Sequence, residues 1–259
     1  MNLEPLTFDL EPFRMRRFFI SPEDIRDDTV LITGAEARHL ARVLRLRPGD
    51  QVCLLDNSGA RHTARLQRVA DDRVEAVIIA TSGREEEGES WPLHLGLGLL
   101  KGSKMDLVMQ KATELGVAGL HPFVSRHCVV EKTSPGRRQR WERIVREACK
   151  QCGRPAVPPC AEPVPFDLLL AEAKSFDLKL ICWENEGAAA LAEKVRGAGG
   201  AGSVLILVGP EGGFAAGEID LAREAGFSPV TLGRRILRAE TACLAAVAIV
   251  QFLLGNLEK

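Results

Sequence analysis

The sequence predicts an α/β protein in two parts, a small β-barrel followed by a mostly parallel sheet. In the first third of the chain, short segments of alternating apolar and polar residues are separated by turns, as in small barrels. Residues 82–92 form an acidic, glycine-containing run without apolar periodicity, which is typical of a linker. From Leu93 onward, strand-like and helix-like segments alternate, which favours a parallel sheet with helices on both faces. We therefore predict domains over residues 1–86 and 87–259, and leave open whether residues 1–14 are ordered.

The first part contains four strand candidates and one helix candidate. The strands are predicted over Val30–Ile32, Gln51–Leu55, Arg61–Val69 and Val74–Ile79. The helix is predicted over Ala35–Leu44, where apolar residues recur at helical spacing, and it puts His39, Arg42 and Arg45 on or near one face.

The second part contains five strand candidates and four helix candidates. The strands are predicted over Leu93–Leu100, Leu120–Phe123, Lys179–Trp183, Ser203–Val208 and Pro229–Leu232. The helices are predicted over Met105–Leu115, Arg137–Gln151, Gly217–Ala225 and Ala242–Leu254. Gly116 is the expected C-cap of the first of these helices. The last helix is apolar on every face, which predicts that it is buried.

Two glycine-rich stretches carry the strongest functional signal. Leu207–Phe214 (LVGPEGGF) and Leu232–Ala242 (LGRRILRAETA) each follow a predicted strand and lead into a predicted helix. Glycine has no Cβ, so backbone at these positions can approach a ligand closely. Open α/β sheets bind ligands at the carboxyl ends of their strands. The pair therefore predicts a ligand site formed by the ends of two neighbouring strands.

Charge is distributed unevenly in a chain whose net charge is only −1. Arginines are concentrated between Arg14 and Arg68, where lysine is absent, and a second basic cluster covers residues 137–150. Local basic patches on a near-neutral protein suit a polyanionic partner bound at a defined site. Solvated helix faces with local ion pairs are the alternative for both clusters.

Cysteine content and hydropathy bear on location and metal binding. Seven scattered cysteines, an odd number, favour a reducing compartment, and Met1–Phe13 lacks the pattern of a secretory signal, so we expect a cytoplasmic protein. Ala242–Leu254 is shorter than the roughly twenty apolar residues that span a bilayer, so no membrane association is expected. Cys149–Cys152 (CKQC) lacks the second ligand pair of a zinc site, and we predict no metal.

Several stretches together resemble a known family. They are RRFF at Arg16–Phe19, HLARVLRLRPGD at His39–Asp50, KGSKMDLVMQKATELGV at Lys101–Val117, EACKQCGR at Glu147–Arg154, and the two glycine-rich stretches. They resemble the SPOUT class of RNA methyltransferases, and most closely the bacterial family that methylates N3 of a uracil in 16S ribosomal RNA. The resemblance implies a PUA-like RNA-binding barrel, a SPOUT-type sheet with a C-terminal trefoil knot, and S-adenosylmethionine as cofactor. It also implies a homodimer that acts on 16S ribosomal RNA, with the assembled small ribosomal subunit as the expected substrate.

The resemblance also implies the roles of individual residues. The implied cofactor-binding residues are Leu207, Gly209, Pro210, Glu211, Gly212, Leu232, Gly233, Ile236, Leu237, Thr241 and Ala242. The predicted RNA-binding residues are Arg16, Arg17, His39, Arg42, Arg45, Lys101, Lys104 and Arg154. Plain solvation is the alternative for the two lysines, and capping of the last helix is the alternative for Thr241.

Methylation at N3 of uracil requires that a weakly acidic imide proton be lost. A fixed cation beside a uracil carbonyl would stabilise the developing negative charge, and we predict that Arg238 has this role. Glu240 and Glu211 are the candidate proton acceptors, because neither stretch contains a histidine. The alternative for Arg238 is a structural ion pair with one of these carboxylates.

Three alternative functions compete with this interpretation. A non-catalytic RNA-binding or ribosome-assembly factor would show damage to a glycine-rich stretch, and both stretches are intact. A doubly wound dehydrogenase would have a glycine-rich turn after its first strand, and that turn is absent. A different methylation target within the SPOUT class stays open, because these enzymes share cofactor loops but differ in substrate; the arginine-rich N-terminal part favours the ribosomal uracil.

Overall fold

The computed structural model describes residues 15–83, 91–129, 135–184, 189–198 and 202–257. They form two compact units, one from the described part of residues 1–87 with Cys149–Val157, and the other from the described part of the remaining chain. The predicted domains assign Cys149–Val157 to the second part, whereas the structure groups this segment with the first. Residues 1–14 and most of the predicted linker lie outside the described residues.

The first unit is built on a six-stranded sheet of order β1-β4-β5-β6-β3-β2. Its strands are β1 (Arg17–Phe19), β2 (Ile25–Arg26), β3 (Thr29–Thr33), β4 (Gln51–Leu55), β5 (Arg61–Val69) and β6 (Arg73–Ser82). Neighbouring strands are antiparallel, except that β1 and β4 run parallel. All four strands predicted for this part are present.

Alternate residues of these strands fill one core, as the two-residue period of a strand requires. The buried positions include Val30, Ile32, Val52, Leu54, Ala64, Leu66, Val74 and Ala76. The residues between them, Leu31, Cys53, Arg65 and Glu75, lie on the opposite face, where Cys53 belongs to a second apolar cluster.

The helix predicted over Ala35–Leu44 is present in two pieces. It consists of α1 (Gly34–Arg38) and a wider π-type turn over His39–Val43, closed by a hydrogen bond of 3.0 Å from the Leu44 N–H to the His39 carbonyl. Arg45 lies beyond this helix in a left-handed conformation with φ of 53°. It is therefore not part of the helical face that was predicted to include it.

The second unit is built on a seven-stranded parallel sheet of order β11-β13-β10-β12-β7-β8-β9. Its strands are β7 (Leu93–Gly98), β8 (Gly119–Val124), β9 (Val164–Pro165), β10 (Leu178–Cys182), β11 (Ala189–Ala190), β12 (Val204–Val208) and β13 (Ser228–Thr231). Its helices are α2 (Lys104–Glu114), α3 (Pro135–Cys152), α4 (Phe166–Glu172), α5 (Leu191–Gly197), α6 (Ala216–Glu224) and α7 (Ala239–Leu253). The predicted α/β class with a parallel sheet is confirmed, and Gly116 follows α2 with φ of 88°, as a C-cap glycine does.

One expected neighbour relation is wrong. The strands β12 and β13, which precede the two glycine-rich stretches, are not adjacent, because β10 lies between them. Ile181 of β10 is in register with Leu207 of β12 on one side and Pro229 of β13 on the other. Three strand ends rather than two therefore meet where the ligand site was predicted.

The last helix, α7, is buried on one side only. Cys243, Val247 and Val250 are fully buried, whereas Ile249 is 36% exposed and Phe252 is 58% exposed. The expectation of burial on every face is thus wrong for the single chain, because a surface helix buries only the stripe that faces its own core. Every helix within the described ranges is too short or too polar to cross a membrane.

The end of α3 explains why Cys149–Val157 groups with the first unit. Cys149 packs against Phe19, Cys53 and Leu55 in a small apolar cluster. The guanidinium of Arg17 donates hydrogen bonds to the last carbonyls of α3, those of Lys150 (3.0 Å) and Gln151 (3.1 Å). These contacts satisfy acceptors that a helix end leaves without a partner.

Two partly buried histidines of the parallel sheet form a close pair. The Nδ1 atom of His94 lies 2.9 Å from the Nε2 atom of His121, and the Phe176 ring centroid lies 4.9 Å from that of His94. Burial, together with the nearby His121, lowers the pKa of His94 to about 4, and burial also lowers the pKa of His121. Both rings are therefore neutral in the folded protein at neutral pH.

We predict that this pair makes the second unit less stable in acid. The pKa of His94 is lower in the folded state, so the unfolded chain binds more protons as the pH falls from 6.5 towards 4, and stability is lost across that window. After a discount for solvent screening, the loss should be on the order of 1–2 kcal/mol. Denaturant unfolding at pH 7 and at pH 5 measures it. The variant His94→Asn should flatten this dependence, and an unchanged slope in that variant would contradict the assignment.

Candidate functional site

A cavity of about 290 Å³ lies at the carboxyl ends of β10, β12 and β13 in the second unit. Three connections line it: the residues after β10, the loop from β12 to α6, and the loop from β13 to α7. The last two are the glycine-rich stretches that the sequence singled out. The cavity therefore lies where a parallel sheet places its ligand site.

The first glycine-rich loop is held close to the sheet by tight packing. A Cβ on Gly98 of β7 would lie 2.6 Å from the ring Cδ and the nitrogen of Pro210, so only glycine fits there. Phe214 closes the loop, and its buried ring packs against the rings of Phe123 and Phe166, with centroids 6.0 and 5.4 Å away. This anchoring fixes the backbone that lines the cavity.

The second loop is shaped by one glycine and one threonine. Gly233 has φ of 111°, a conformation that favours glycine, and open space surrounds the position a Cβ would take. The Thr231 hydroxyl donates to the Gly233 carbonyl at 3.1 Å and accepts from its N–H at 3.3 Å. Ile236 then projects an apolar side chain that is 86% exposed beside the cavity.

Lys104 connects both loops electrostatically. Its Nζ atom donates a 3.0 Å hydrogen bond to Glu211 Oε1 in the first loop and lies 3.9 Å from Glu240 Oε2 at the start of α7. The Lys101 N–H also donates to Glu211, at 3.2 Å. Partial burial alone would raise the pKa of Glu211, but the bond from Lys104 and the backbone N–H bonds outweigh it and lower that pKa. Glu211 is thus held as a carboxylate and is a poor proton acceptor.

The structure brings most of the implied cofactor residues to one cavity. Those that line it are Gly209, Pro210, Glu211, Leu232, Gly233, Ile236, Leu237 and Ala242, together with Arg238. Three are outside the lining: Leu207 is buried within β12, Gly212 packs against His127, and Thr241 is exposed on the first turn of α7. The helix α7 begins at Ala239 with Arg238 as its N-cap, so the alternative role of Thr241 as a cap is not seen.

Sequence reasoning missed the third connection. Trp183 and Glu184 follow β10 and line the cavity, and Arg235 lines it from the second loop. The guanidinium of Arg223 lies 5.4 Å from the Trp183 ring centroid, which fixes that ring from outside. This connection has a single glycine, Gly187, and no glycine-rich pattern. Only the strand order places it at the site.

The predicted RNA-binding residues of the first unit differ in exposure and in their contacts with other protein groups. Arg16 is exposed, whereas Arg17 donates to the carbonyls at the end of α3. Arg42 forms an exposed ion pair of 2.8 Å with Asp71, and Arg45 is exposed beyond the helix. His39 and Arg154 are half-buried.

The two predicted RNA-binding lysines belong to the second unit. Lys104 is bound to the carboxylates described above, so plain solvation, the alternative considered for it, does not describe its environment. Lys101 is exposed, and its backbone rather than its side chain contacts Glu211.

The cavity fits the cofactor that the resemblance implies. S-adenosylmethionine carries a positive sulfur, an ammonium, a carboxylate and a flat purine. The lining supplies carboxylates from Glu184 and Glu211, and guanidinium groups from Arg235 and Arg238. Ile236 offers an exposed apolar surface that a purine face would cover. Fold and cavity together define a cofactor-binding α/β protein of the methyltransferase type.

Comparisons with known proteins identify the family. The RNA methyltransferase domain family matches residues 87–251, and the RNA methyltransferase PUA domain family matches residues 32–79. The chain therefore belongs to the RNA methyltransferase family, and the resemblance drawn from its motifs is confirmed.

Individual relatives agree over most of the chain. Ribosomal RNA small subunit methyltransferase E of Synechocystis sp. is 34% identical over 93% of this chain and 78% of its own, and that of Bacillus subtilis is 32% identical over 92% and 96%. The crystal structure of this methyltransferase from Neisseria gonorrhoeae, bound to S-adenosylmethionine, has a TM-score of 0.82 at 38% identity and covers 92% of this chain and 98% of its own. A putative methyltransferase from Legionella pneumophila, in complex with the same cofactor, has a TM-score of 0.83 at 32% identity, with coverage of 92% and 98%.

We predict that Arg17 is needed more for stability than for RNA binding. Arg17→Gln should lower the free energy of unfolding by about 1–3 kcal/mol, because the last carbonyls of α3 lose a charged donor. The matched variant Arg16→Gln changes an exposed neighbour and should stay within about 0.5 kcal/mol of the parent. Urea unfolding of both variants checks this. Equal stabilities, with RNA affinity lost only in Arg17→Gln, would show the opposite.

We also predict that Gly98→Ala disrupts the cofactor cavity without any change in its lining residues. The added methyl group would meet the backbone of Pro210, and overpacking of this kind costs about 1–3 kcal/mol, so affinity for S-adenosylmethionine should fall about tenfold or more. Calorimetric titration measures the affinity. Gly217→Ala, on the exposed surface of α6 with open space around it, is the control and should bind as the parent does. Unchanged affinity in Gly98→Ala would contradict the described packing.

Proposed function

We propose that this protein transfers the methyl group of S-adenosylmethionine to N3 of a specific uridine in 16S ribosomal RNA. The observation that carries the proposal is the cavity formed by the two glycine-rich loops, with Arg238 in its wall and Glu240 two residues further along the chain. The names of the relatives, ribosomal RNA small subunit methyltransferases, support the class of substrate. The motif resemblance supports the choice of N3.

Arg238 is suited to stabilise the uracil anion. It is the exposed N-cap of α7, and among the described residues the carboxylates of Glu211 and Glu240 pair with Lys104 rather than with Arg238. The alternative of a structural ion pair is therefore disfavoured. A cation held at a helix N-terminus in the cavity wall can face the carbonyl oxygen on which negative charge develops.

Glu240 is the better candidate for proton acceptor. Glu211 accepts two hydrogen bonds that hold it ionised, whereas Glu240 Oε2 is buried without a hydrogen-bond partner among the described residues. A buried acceptor that lacks a donor is costly unless a ligand supplies one. An imide N–H is such a donor. When bound, the cofactor supplies a methyl group on a positively charged sulfur, and the loops described above align it.

The first unit is proposed to bind the RNA. The PUA domain match covers β4, β5 and most of β6. The exposed arginines Arg16 and Arg45 offer cations for phosphates. We take residues 1–86 and 87–259 as the RNA-binding and catalytic domains, with Cys149–Val157 packed onto the former. The assembled small ribosomal subunit is the proposed substrate.

We also propose that the protein forms a homodimer and is located in the cytoplasm. The exposed apolar side of α7, with Ile249 and Phe252, supports a homodimer through this helix, because apolar patches of this kind commonly mark interfaces. The trefoil knot and the homodimer are proposed on the family resemblance, and a cytoplasmic location is proposed on the cysteine content and the N-terminal sequence. The seven free cysteines fit a reducing compartment.

Transfer of labelled methyl groups to small ribosomal subunits that lack the modification tests the function. The labelled nucleoside should be 3-methyluridine, and label in any other nucleoside would overturn the choice of N3. Arg238→Ala should lower kcat by about 10²–10³ with cofactor affinity retained, because it removes charge stabilisation in the transition state only. Arg234→Ala, an exposed arginine of the same loop outside the cavity lining, is the control and should retain activity. Full activity in Arg238→Ala would remove that residue from the mechanism.

A further inference from the structure

A second cavity lies beside the cofactor cavity. It is a groove of about 630 Å³ between α2 and α3, within the second unit. Leu107 and Gln110 line it from α2, and Arg143 and Ile144 line it from α3. Its volume is within the range of small-molecule sites, about 300–1,000 Å³.

The groove and the cofactor cavity share a wall. Lys104 lines both cavities, and Glu240, whose Oε2 atom lies 3.9 Å from the lysine Nζ, lines the groove. Arg238, two residues before Glu240, lines the cofactor cavity. A molecule in the groove would therefore lie beside the cofactor cavity, next to the proposed proton acceptor. Adjacency of this kind is what a methyl acceptor requires, because attack on the methyl carbon needs contact between the two sites.

The lining of the groove suits a flat, polar ring. Leu107 is 40% exposed and Ile144 is half-buried, so both present apolar surface to the groove. Gln110 is exposed and carries an amide with both donor and acceptor groups, which can hydrogen-bond the edge of a base. Enzymes that modify a base commonly extrude it from its stack into a pocket with apolar walls and a few polar contacts.

The charges of the groove suit a phosphate at its rim. Arg140 forms a 2.5 Å hydrogen bond with Asp106, so the negative charge of that aspartate is neutralised within the groove. Arg143 is exposed on the next turn of α3. A guanidinium at this place can bind the phosphate attached to an extruded nucleotide. The carboxylates of Glu147 and Glu240 also line the groove, so Arg143 supplies a local positive charge at the rim rather than a general one.

We propose that this groove receives the acceptor uridine, extruded from the RNA. The base lies between Leu107 and Ile144, its phosphate binds Arg143, and its N3 edge points to Glu240. Lys104 is then a positioning residue, because it holds the Glu240 carboxylate at the wall between the two cavities. This inference rests on the proposed function and adds to it the place where the substrate binds.

Two variants test the groove. Leu107→Trp fills it with a side chain that starts from a partly exposed position, and Arg143→Glu reverses the charge at its rim. Leu168→Trp, at a leucine of α4 that is 45% exposed and outside the groove, is the matched control. Each variant is measured by titration with S-adenosylmethionine, by kcat and KM on small ribosomal subunits that lack the modification, by filter binding of those subunits, and by sedimentation velocity.

The groove variants should act poorly on the ribosomal subunit but bind the cofactor as the parent does. We expect Leu107→Trp to lower kcat/KM for the subunit by about 100-fold and Arg143→Glu to raise KM by about tenfold, with cofactor affinity within about twofold of the parent. Leu168→Trp should match the parent in every measurement. Unchanged subunit kinetics and binding in both groove variants would overturn the proposal, while production of 3-methyluridine by the parent would leave the proposed function standing.

Two further outcomes separate this inference from its alternatives. If Leu107→Trp changes the sedimentation coefficient from that of the parent together with the activity, the groove is an interface between copies of the chain and the proposal fails. If the parent labels a nucleoside other than 3-methyluridine, the proposed function fails in its choice of base. Subunit binding by the groove variants then still decides whether an acceptor nucleotide occupies the groove.

Discussion

The site depends on the order of three parallel strands. Because β10 lies between β12 and β13, the ends of all three strands open into the same cavity. The glycine-rich loops can then lie on opposite sides of the residues that follow β10, with Trp183 among them. Close packing of Gly98 against Pro210 and the stacked ring of Phe214 keep the first loop on the sheet. A rigid sheet thus positions backbone that by itself has many conformations.

Lys104 also fixes the positions of charged groups at the site. It belongs to α2, yet its ammonium contacts Glu211 in one loop and Glu240 after the other. The Lys104 ammonium donates a hydrogen bond to Glu211 but lies 3.9 Å from Glu240, so the two carboxylates have different hydrogen-bond environments. Glu211 is held ionised by hydrogen bonds, whereas Glu240 keeps a buried oxygen that lacks a donor among the described residues. A division of roles between two carboxylates by their surroundings is a general way to obtain one proton acceptor and one structural anion.

The arginines of the first unit show that a basic cluster is not uniform in function. Arg17 is used to satisfy carbonyls at the end of α3, and Arg42 is paired with Asp71, while Arg16 is exposed. The sequence does not distinguish these arginines, because a count of charged residues does not show which of them form ion pairs or hydrogen bonds. Only the tertiary structure reveals which guanidinium groups already have partners, such as Arg17 at the end of α3 and Arg42 beside Asp71.

The short elements β1, β2, β9, β11, α4 and α5 were not predicted from the sequence. The sequence alone was enough for the two-part pattern, the other strands and helices, both glycine-rich loops and the family. Local signals suffice for these features, because the apolar period and the turn residues lie within a few positions of one another. Tertiary structure alone decided that β10 separates β12 and β13, that Trp183 and Glu184 line the cavity, and that Lys104 contacts two distant carboxylates. It also decided that α7 leaves Phe252 exposed. Strand order and ion pairs join residues far apart in the chain, and no local pattern of residues encodes which distant partner each will meet.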